Sequence, residues 1–230
     1  MNELERIRDE YARRARDGRY AQWYSTFNPA EVFFLQERER ALLRLLHDYL
    51  PSERSTLRTL DVGCGHGHLL SQFVTYGFRR AGLIGIDFLP ERLERARKSY
   101  PALTFARANA AALPFADASF GLVLQFTVFT SVLDDAMRRA LASEMLRVLK
   151  PDGFIVWYDH RWNPVNHQVR GIGAAEIRRL FPDCQYDVRR VTLAPPLTRR
   201  IVPRSWLLGA FLSAMPLLRT HYLAAIRKQP

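Results

Sequence analysis

Three closely spaced glycines form the segment of this sequence best suited to bind a ligand. An apolar run with one acid, Leu60-Asp61-Val62, is followed by glycines at positions 63, 65 and 67, after which the chain becomes apolar again. Because glycine has no Cβ, a tight strand-to-helix turn built from these residues lets the backbone lie directly against a bound molecule. Nucleotide-binding α/β folds share such a turn, so the turn alone does not identify the ligand.

An acidic residue follows the glycines at the spacing that a nucleoside ligand would need. Asp87 ends the segment Gly85-Ile86-Asp87, and a carboxylate about 20 residues beyond such glycines can accept hydrogen bonds from two ribose hydroxyls. Dehydrogenases that bind dinucleotides share this arrangement, usually with the spacing G-x-G-x-x-G. The spacing here is G-x-G-x-G, which disfavours a nicotinamide dinucleotide but leaves it open.

The glycine turn and Asp87 need a sheet to position them. The sequence provides one, because strand and helix patterns alternate after residue 56. Strands are predicted over 57–62, 81–86, 103–106, 120–126, 154–158, 186–193 and 220–226. Helices are predicted over 67–76, 90–99, 134–149 and 174–180, and a turn over 150–153. The alternation favours a mostly parallel sheet with helices on both faces, in which ligands bind at the carboxyl ends of the strands.

The two ends of the chain depart from this alternation. Residues 1–56 are expected to form an N-terminal helical cap with helices over 2–17 and 29–50, the second started by Asn28 as N-cap and Pro29 at the first helical position. Residues 57–193 form the expected α/β core. Residues 194–230 are expected to add a lid and the final strand to the same domain, with one short apolar helix around Trp206–Leu212 that serves as pocket wall or core rather than as a membrane anchor.

Composition and charge limit the class of protein. The chain has 230 residues, two cysteines without metal-ligand spacing and a charged first segment unlike a secretory signal, and it contains no run of about 18 apolar residues. These features predict a cytoplasmic protein without a transmembrane segment or a metal site. The net charge is +11, and residues 185–230 hold eight cationic residues and one acid. Such a field favours an anionic partner, although arginines on solvated faces would give the same composition.

Five phrases in order resemble the motifs of class I S-adenosylmethionine-dependent methyltransferases, most closely the small-molecule, type 11-like branch. They are Leu60–Leu70, Gly85–Asp87, Asn109–Phe115, Ser119–Leu124 and Arg147–Phe154. The resemblance spans close to half of the chain. It implies a doubly wound, mostly parallel seven-stranded sheet, Rossmann-like, with the last strand antiparallel, and it implies S-adenosylmethionine as the cofactor.

The resemblance also implies which residues bind that cofactor: Asp61, Gly63, Cys64, Gly65, Asp87, Phe88, Asn109, Ala110 and Gln125. The glycine turn with Asp61 would hold the methionine end, Asp87 the ribose, and Phe88 or Leu89 would pack on adenine. Asn109 stands where the family commonly has Asp, and its carbonyl can still accept a hydrogen bond from the adenine amine. Gln125, at the end of the fourth strand, would face the transferred methyl group.

A hydroxyl acceptor usually needs a base as it attacks the methyl group. The positions of His160 and Asp159 just after the fifth strand favour them for this role. The sequence therefore predicts O-methylation of a small molecule in the sugar, glycan or natural-product class, with the basic C-terminal segment attracting an acidic or phosphorylated acceptor. Two alternatives remain open. An RNA methyltransferase would use the basic charge but lacks an Asn/Asp-Pro-Pro-aromatic motif, and a non-catalytic S-adenosylmethionine-binding protein would explain Asn109 and Gly121.

Overall fold

The computed structural model describes residues 2–50, 53–163 and 166–229, and its central element is a seven-stranded sheet. The strands are β1 Thr59–Val62, β2 Leu83–Asp87, β3 Thr104–Arg107, β4 Phe120–Phe126, β5 Leu149–His160, β6 Cys184–Leu193 and β7 Arg219–Lys228. Their order is β3-β2-β1-β4-β5-β7-β6. Neighbouring strands from β3 to β5 are parallel, and β7 is antiparallel to both β5 and β6. The predicted doubly wound sheet is confirmed.

Helices cover both faces of the sheet. They are α1 Glu3–Arg16, α2 Gly18–Trp23, α3 Pro29–Tyr49, α4 His68–Thr75, α5 Pro90–Ser99, α6 Asp135–Val148, α7 Ala174–Leu180, α8 Pro195–Ile201 and α9 Trp206–Ser213. On one face, an apolar cluster that includes Ile7, Leu141 and Ile177 brings α1, α6 and α7 against the strands. On the other face, Leu45 and Phe73 belong to the cluster that packs α3, α4 and α5. Alternate strand residues supply the two cores, as the pleat of a sheet requires.

The helix starts read from the sequence have a visible cause in the structure. The side chain of Asn28 accepts a hydrogen bond from the Ala30 amide at the start of α3, where Pro29 needs no acceptor for its missing N–H. At the start of α1, Asn2 and Glu5 form a capping box. These caps fix where the N-terminal helices begin and therefore how they approach the sheet.

Three details of the expected secondary structure were wrong. The helix α2 was not expected, and the region 194–218 holds two helices rather than one. The additional helix α8 begins at Pro195, because prolines in the first turn of a helix lose no intrahelical hydrogen bond and need not break it. The predicted turn over 150–153 lies within β5. Phe120 of β4 pairs with Leu149 and Leu122 pairs with Phe154, so residues 150–153 form a bulge in β5.

The apolar stripe Trp206–Leu212 lies mostly at the surface, contrary to the prediction that it forms pocket wall or core. Leu207 is 83% exposed and Phe211 is 62% exposed. Apolar side chains point from α9 in every direction around the helix axis. The neighbouring segments that contain Phe33 and Val202 can cover only the side that carries Gly209. Across the described ranges, no helix combines the length and the apolar character needed to span a bilayer.

Candidate functional site

The glycine turn joins β1 to α4 at the point where the strand order reverses, which is where ligands bind in this architecture. Gly63 has a φ of 72°, and a Cβ built on it would lie 2.5 Å from Cγ2 of Val128. Gly67 has a φ of 79°, and a Cβ there would lie 2.6 Å from the Phe105 ring. Both the left-handed backbone and the close contacts require glycine. The turn therefore brings bare backbone to the carboxyl edge of the sheet.

Asp87 connects this turn to the next strand. It ends β2, is buried, and accepts hydrogen bonds from the Gly65 amide and the Leu89 amide, both at 3.0 Å. The guanidinium of Arg92 lies 3.6 Å from the same carboxylate. The two amides and the guanidinium leave further acceptor capacity on this carboxylate, which lies at the edge of the sheet beside the glycine turn.

Asp61 is the least satisfied acid in the site. It lies on β1, is buried, and its Oδ2 has no hydrogen-bond partner among residues 2–50, 53–163 and 166–229. Burial, and then the negative charge of Asp87, raise the pKa of Asp61 well above its usual range. A buried carboxylate without partners is costly, so a positively charged ligand group would relieve a penalty already present.

Gly63 of the turn and Asp87 line a cleft of about 690 Å³, including its open mouth. Phe88, Asn109 and Ala110, all predicted to bind the cofactor, also line it. Helix α1 roofs the same cleft with three side chains: Leu4, Ile7 and Tyr11. The guanidinium of Arg92 lies 4.4 Å from the centre of the Tyr11 ring, which connects the roof to the side of the cleft that carries Asp87. The sequence analysis assigned neither Tyr11 nor Arg92 to the site.

Four predicted cofactor residues are not among those that line this cleft: Asp61, Cys64, Gly65 and Gln125. The Cys64 side chain is buried in the core beside Gly85, and burial raises the pKa of its thiol. Its amide donates to the Ile86 carbonyl, so its backbone holds the turn. The Gln125 side chain accepts from the Val128 amide with its oxygen and donates to the Tyr158 carbonyl. Gln125 therefore fixes the end of β4, and its predicted contact with the methyl group stays a prediction.

Asp159 and His160, the predicted bases, point to opposite faces of β5, as adjacent strand residues must. The Asp159 carboxylate is completely buried and accepts hydrogen bonds from the amide and hydroxyl of Thr130 and from the His160 amide. Burial raises its pKa to about 7, while the Thr130 donors lower it. No hydrogen bond joins the carboxylate to the His160 ring in the part of the chain that the structure describes. The two residues therefore do not form a carboxylate–imidazole pair.

We expect Asp159→Ala to lower the free energy of unfolding by about 3–4 kcal/mol, because three buried donors would lose their acceptor. Asp159→Asn keeps Oδ1, which receives the Thr130 hydroxyl and the His160 amide, and should cost about half as much. Urea unfolding at neutral pH measures both variants. Equal stability of the alanine variant and the parent would contradict a structural role for this carboxylate.

His160 faces His221 on the neighbouring strand β7, with ring centroids 3.9 Å apart. His221 is buried, stacks on Tyr158 at 5.0 Å, and has no described hydrogen-bond partner for its Nε2. Burial, with smaller effects from the positive charges of Arg14 and Arg199, lowers the pKa of His160 to about 4. Burial also lowers the pKa of His221 well below its usual range. Both rings are therefore neutral at physiological pH.

His160 lies at the same edge of the sheet as the cleft. Phe126 at the end of β4 pairs with Tyr158 of β5, and His160 follows Tyr158 by two residues at the end of β5. Thr127 lines the cleft and has a φ of 61°, an unusual conformation for a β-branched residue. Its amide donates to the Tyr158 carbonyl, which holds this strained turn next to β5. His160 therefore lies at the carboxyl edge of the sheet, although it is not among the residues that line the cleft.

The lowered pKa of His160 should make stability depend on pH. The unfolded chain takes up a proton as pH falls through about 6.5, while folded His160 does so only near pH 4, so stability is lost in this window. Relative to His160→Gln, which cannot titrate there, the parent should lose about 2 kcal/mol between pH 7.5 and pH 5. Urea unfolding of both proteins at the two pH values tests this. A constant difference between them would contradict the depressed pKa.

Comparison with known proteins identifies the segment that carries this site. A family profile described as "Methyltransferase domain" matches residues 59–153. A probable S-adenosylmethionine-dependent methyltransferase of Mycolicibacterium smegmatis is 30% identical over 167 residues, covering 69% of this chain and 61% of the relative. The ubiquinone biosynthesis O-methyltransferase of Cereibacter sphaeroides is 28% identical over 221 residues, covering 87% of this chain and 85% of the relative.

The aligned share of the relatives and the superposition on solved structures add two further facts. The chain spans 61% of the length of the mycobacterial relative above, and between 22% and 40% of several other curated relatives. Among solved structures, the PH0226 protein from Pyrococcus horikoshii superposes with a TM-score of 0.64 at 17% identity, covering 90% of this chain and 99% of that protein. At that identity the likeness concerns the fold alone.

Proposed function

Because this chain belongs to the class I S-adenosylmethionine-dependent methyltransferases, we propose that it transfers the cofactor's methyl group to a hydroxyl of a small molecule. The O-methyltransferase from Cereibacter sphaeroides, which aligns over most of its length, supports oxygen as the acceptor atom. Within that class we favour a sugar, glycan or natural-product hydroxyl. An acceptor with acidic or phosphorylated character would also suit the positive charges of Arg14 and Arg199, whose field reaches His160.

The observation that carries the donor side of this proposal is the pair of carboxylates beside the glycine turn. Asp61 has a buried oxygen without a partner, and it suits the cationic amino acid end of S-adenosylmethionine. Asp87 suits the ribose hydroxyls, since its oxygens can accept further hydrogen bonds beyond those from the Gly65 and Leu89 amides. Gly63, Asp87, Phe88 and Asn109 line the cleft in which the nucleoside would lie. The residues present therefore fit the cofactor.

When bound, S-adenosylmethionine supplies an electrophilic methyl group on a sulfonium. The chain's own residues orient the two reactants and keep water away, with α1 as roof through Ile7 and Tyr11. The acceptor oxygen would form a bond to the methyl carbon while the carbon–sulfur bond breaks and its electrons return to sulfur. The hydroxyl proton would pass to a ring nitrogen of His160, which is neutral; because burial lowers its pKa to about 4 it is a weak base, so an acidic hydroxyl suits it best.

A methyl-transfer screen tests the proposal. The full chain is incubated with S-adenosylmethionine and panels of sugar hydroxyls, phenolic natural products, carboxylates, amines and RNA, and S-adenosylhomocysteine is measured together with the mass of the acceptor. We expect transfer to a hydroxyl compound. Transfer confined to RNA or to nitrogen acceptors would overturn it. Tight binding of S-adenosylhomocysteine without transfer to any panel would instead favour a non-catalytic binding protein.

A further inference from the structure

Helix α9 presents an unusually apolar surface to solvent. Leu207 is 83% exposed, Phe211 is 62% exposed, and Leu217 in the following turn is 85% exposed. Contiguous apolar exposure of this kind marks an interaction surface more often than a free face. The helix cannot sink further into the protein, because a Cβ at Gly209 would already approach Cγ2 of Val202 to 2.7 Å. We call residues 206–217 the apolar ridge.

The helix under the ridge holds it in a fixed orientation. The ring of Trp206 packs edge-on against Phe33 of α3, with centroids 5.1 Å apart. At the start of α9, the Ser205 hydroxyl accepts a hydrogen bond from the Leu208 amide and caps the helix. At its end, the Arg219 guanidinium donates to the Ser213 carbonyl at 2.7 Å. The ridge is therefore anchored at both ends while its apolar side chains remain outside.

A cationic groove lies directly beside the ridge. Ser213 and Ala214, which end α9, line a groove of about 920 Å³, including its open mouth, together with five arginines. These arginines are Arg40, Arg44, Arg189, Arg190 and Arg219. One acid, Glu37, is part of the same lining, and its carboxylate accepts the Leu193 amide. We call the surface formed by the five arginines the arginine groove.

The arginines of the groove differ in how they are engaged. Arg189 pairs with Asp187 and Asp48. The side chains of Arg40, Arg44 and Arg190 are exposed and form no ion pair with any residue that the structure describes. Three guanidinium groups without ion-pair partners thus lie next to the apolar ridge, so this surface combines positive charge with exposed hydrocarbon. An anion with attached hydrocarbon would satisfy both.

We propose that the apolar ridge and the arginine groove together dock this protein on a membrane that carries anionic lipid. Tryptophan, leucine and phenylalanine side chains suit the boundary between headgroups and acyl chains, and arginines beside them suit lipid phosphates. A second copy of the chain is a poorer occupant, because a two-fold contact would bring the arginine grooves of a chain with net charge +11 close together. A nucleic acid would leave Leu207 and Leu217 without apolar partners.

Vesicle sedimentation of the full chain tests the proposal without any methyl acceptor. Vesicles of phosphatidylcholine with about 30% phosphatidylglycerol are compared with vesicles of phosphatidylcholine alone, at low and high salt. We expect binding to the anionic vesicles that weakens with salt, and weak binding to the zwitterionic ones. Arg40→Ala/Arg44→Ala should weaken the anionic binding by about tenfold or more, as should Leu207→Ser/Leu217→Ser.

The matched control removes the same charge from the other face of the sheet. Arg139→Ala/Arg179→Ala, on α6 and α7, should bind anionic vesicles within about twofold of the parent. Every variant should retain the parent's affinity for S-adenosylhomocysteine, which checks folding and keeps this test separate from the proposed reaction. Equal loss in the control, equal binding to both vesicle types, or unchanged binding of the ridge and groove variants would overturn the proposal. So would a dimer in light scattering that the leucine substitutions dissociate.

Discussion

Asp87→Ala is expected to weaken the binding of S-adenosylhomocysteine by more than about a hundredfold. A carboxylate that accepts two ribose hydroxyls makes charged hydrogen bonds, each worth about 1.5–3 kcal/mol. The variant would also release the amides of Gly65 and Leu89, which the carboxylate holds at 3.0 Å. The glycine turn would then lose the Gly65 link to β2 and keep the bond from the Cys64 amide to the Ile86 carbonyl. Calorimetric titration with S-adenosylhomocysteine measures the effect directly and needs no acceptor.

Two further variants make the Asp87 result specific. Asp87→Asn keeps one oxygen as an acceptor but loses the charge, so its affinity should lie between those of the parent and the alanine variant. Asp152→Ala removes an exposed acid near the amino end of β5, far from the carboxyl edge of the sheet where Asp87 lies. This variant should leave the affinity for S-adenosylhomocysteine unchanged. If Asp87→Ala bound as tightly as Asp152→Ala, the assignment of the ribose to β2 would be wrong.

Local sequence signals were sufficient for most of the fold. The bounds of α5, α7 and β4 agree with the sequence prediction to the residue. Helix α5 starts at Pro90, and this proline fixes the first helical position because it has no N–H to satisfy. The glycine turn was visible for the same reason, since only glycine tolerates the backbone at Gly63 and Gly67. Where one residue type is physically required, the sequence alone is informative.

The parts that the sequence did not reveal depend on contacts between distant segments. The roof that Ile7 and Tyr11 place over the cleft results from packing of α1 against the sheet, which no local pattern specifies. The exposure of Leu207 follows from how α8 fills the space under α9. The separation of Asp159 from His160 had a usable signal, because adjacent residues of a strand point to opposite faces.

The second large expected effect is on kcat, and it concerns His160 at the carboxyl end of β5. His160→Gln should lower kcat for the acceptor found in the screen by about a hundredfold or more, the usual contribution of a positioned general base. Glutamine retains hydrogen-bonding groups and similar size but cannot accept the hydroxyl proton. Because Asp61 and Asp87 lie on other strands, the affinity for S-adenosylhomocysteine should stay within about twofold of the parent.

His47→Gln provides the matched control for this substitution, since His47 is exposed near the end of α3. It should have the parent's kcat, KM and donor affinity. If both variants had the parent's kcat, proton removal by His160 would be excluded, and solvent would have to take the proton. If His160→Gln lost donor affinity as well, the ring would be a support for the cleft rather than a base. A fall in kcat alone, restored by acceptors whose hydroxyl is already ionised, is the result that a base at this position requires, because such acceptors have no proton to give up.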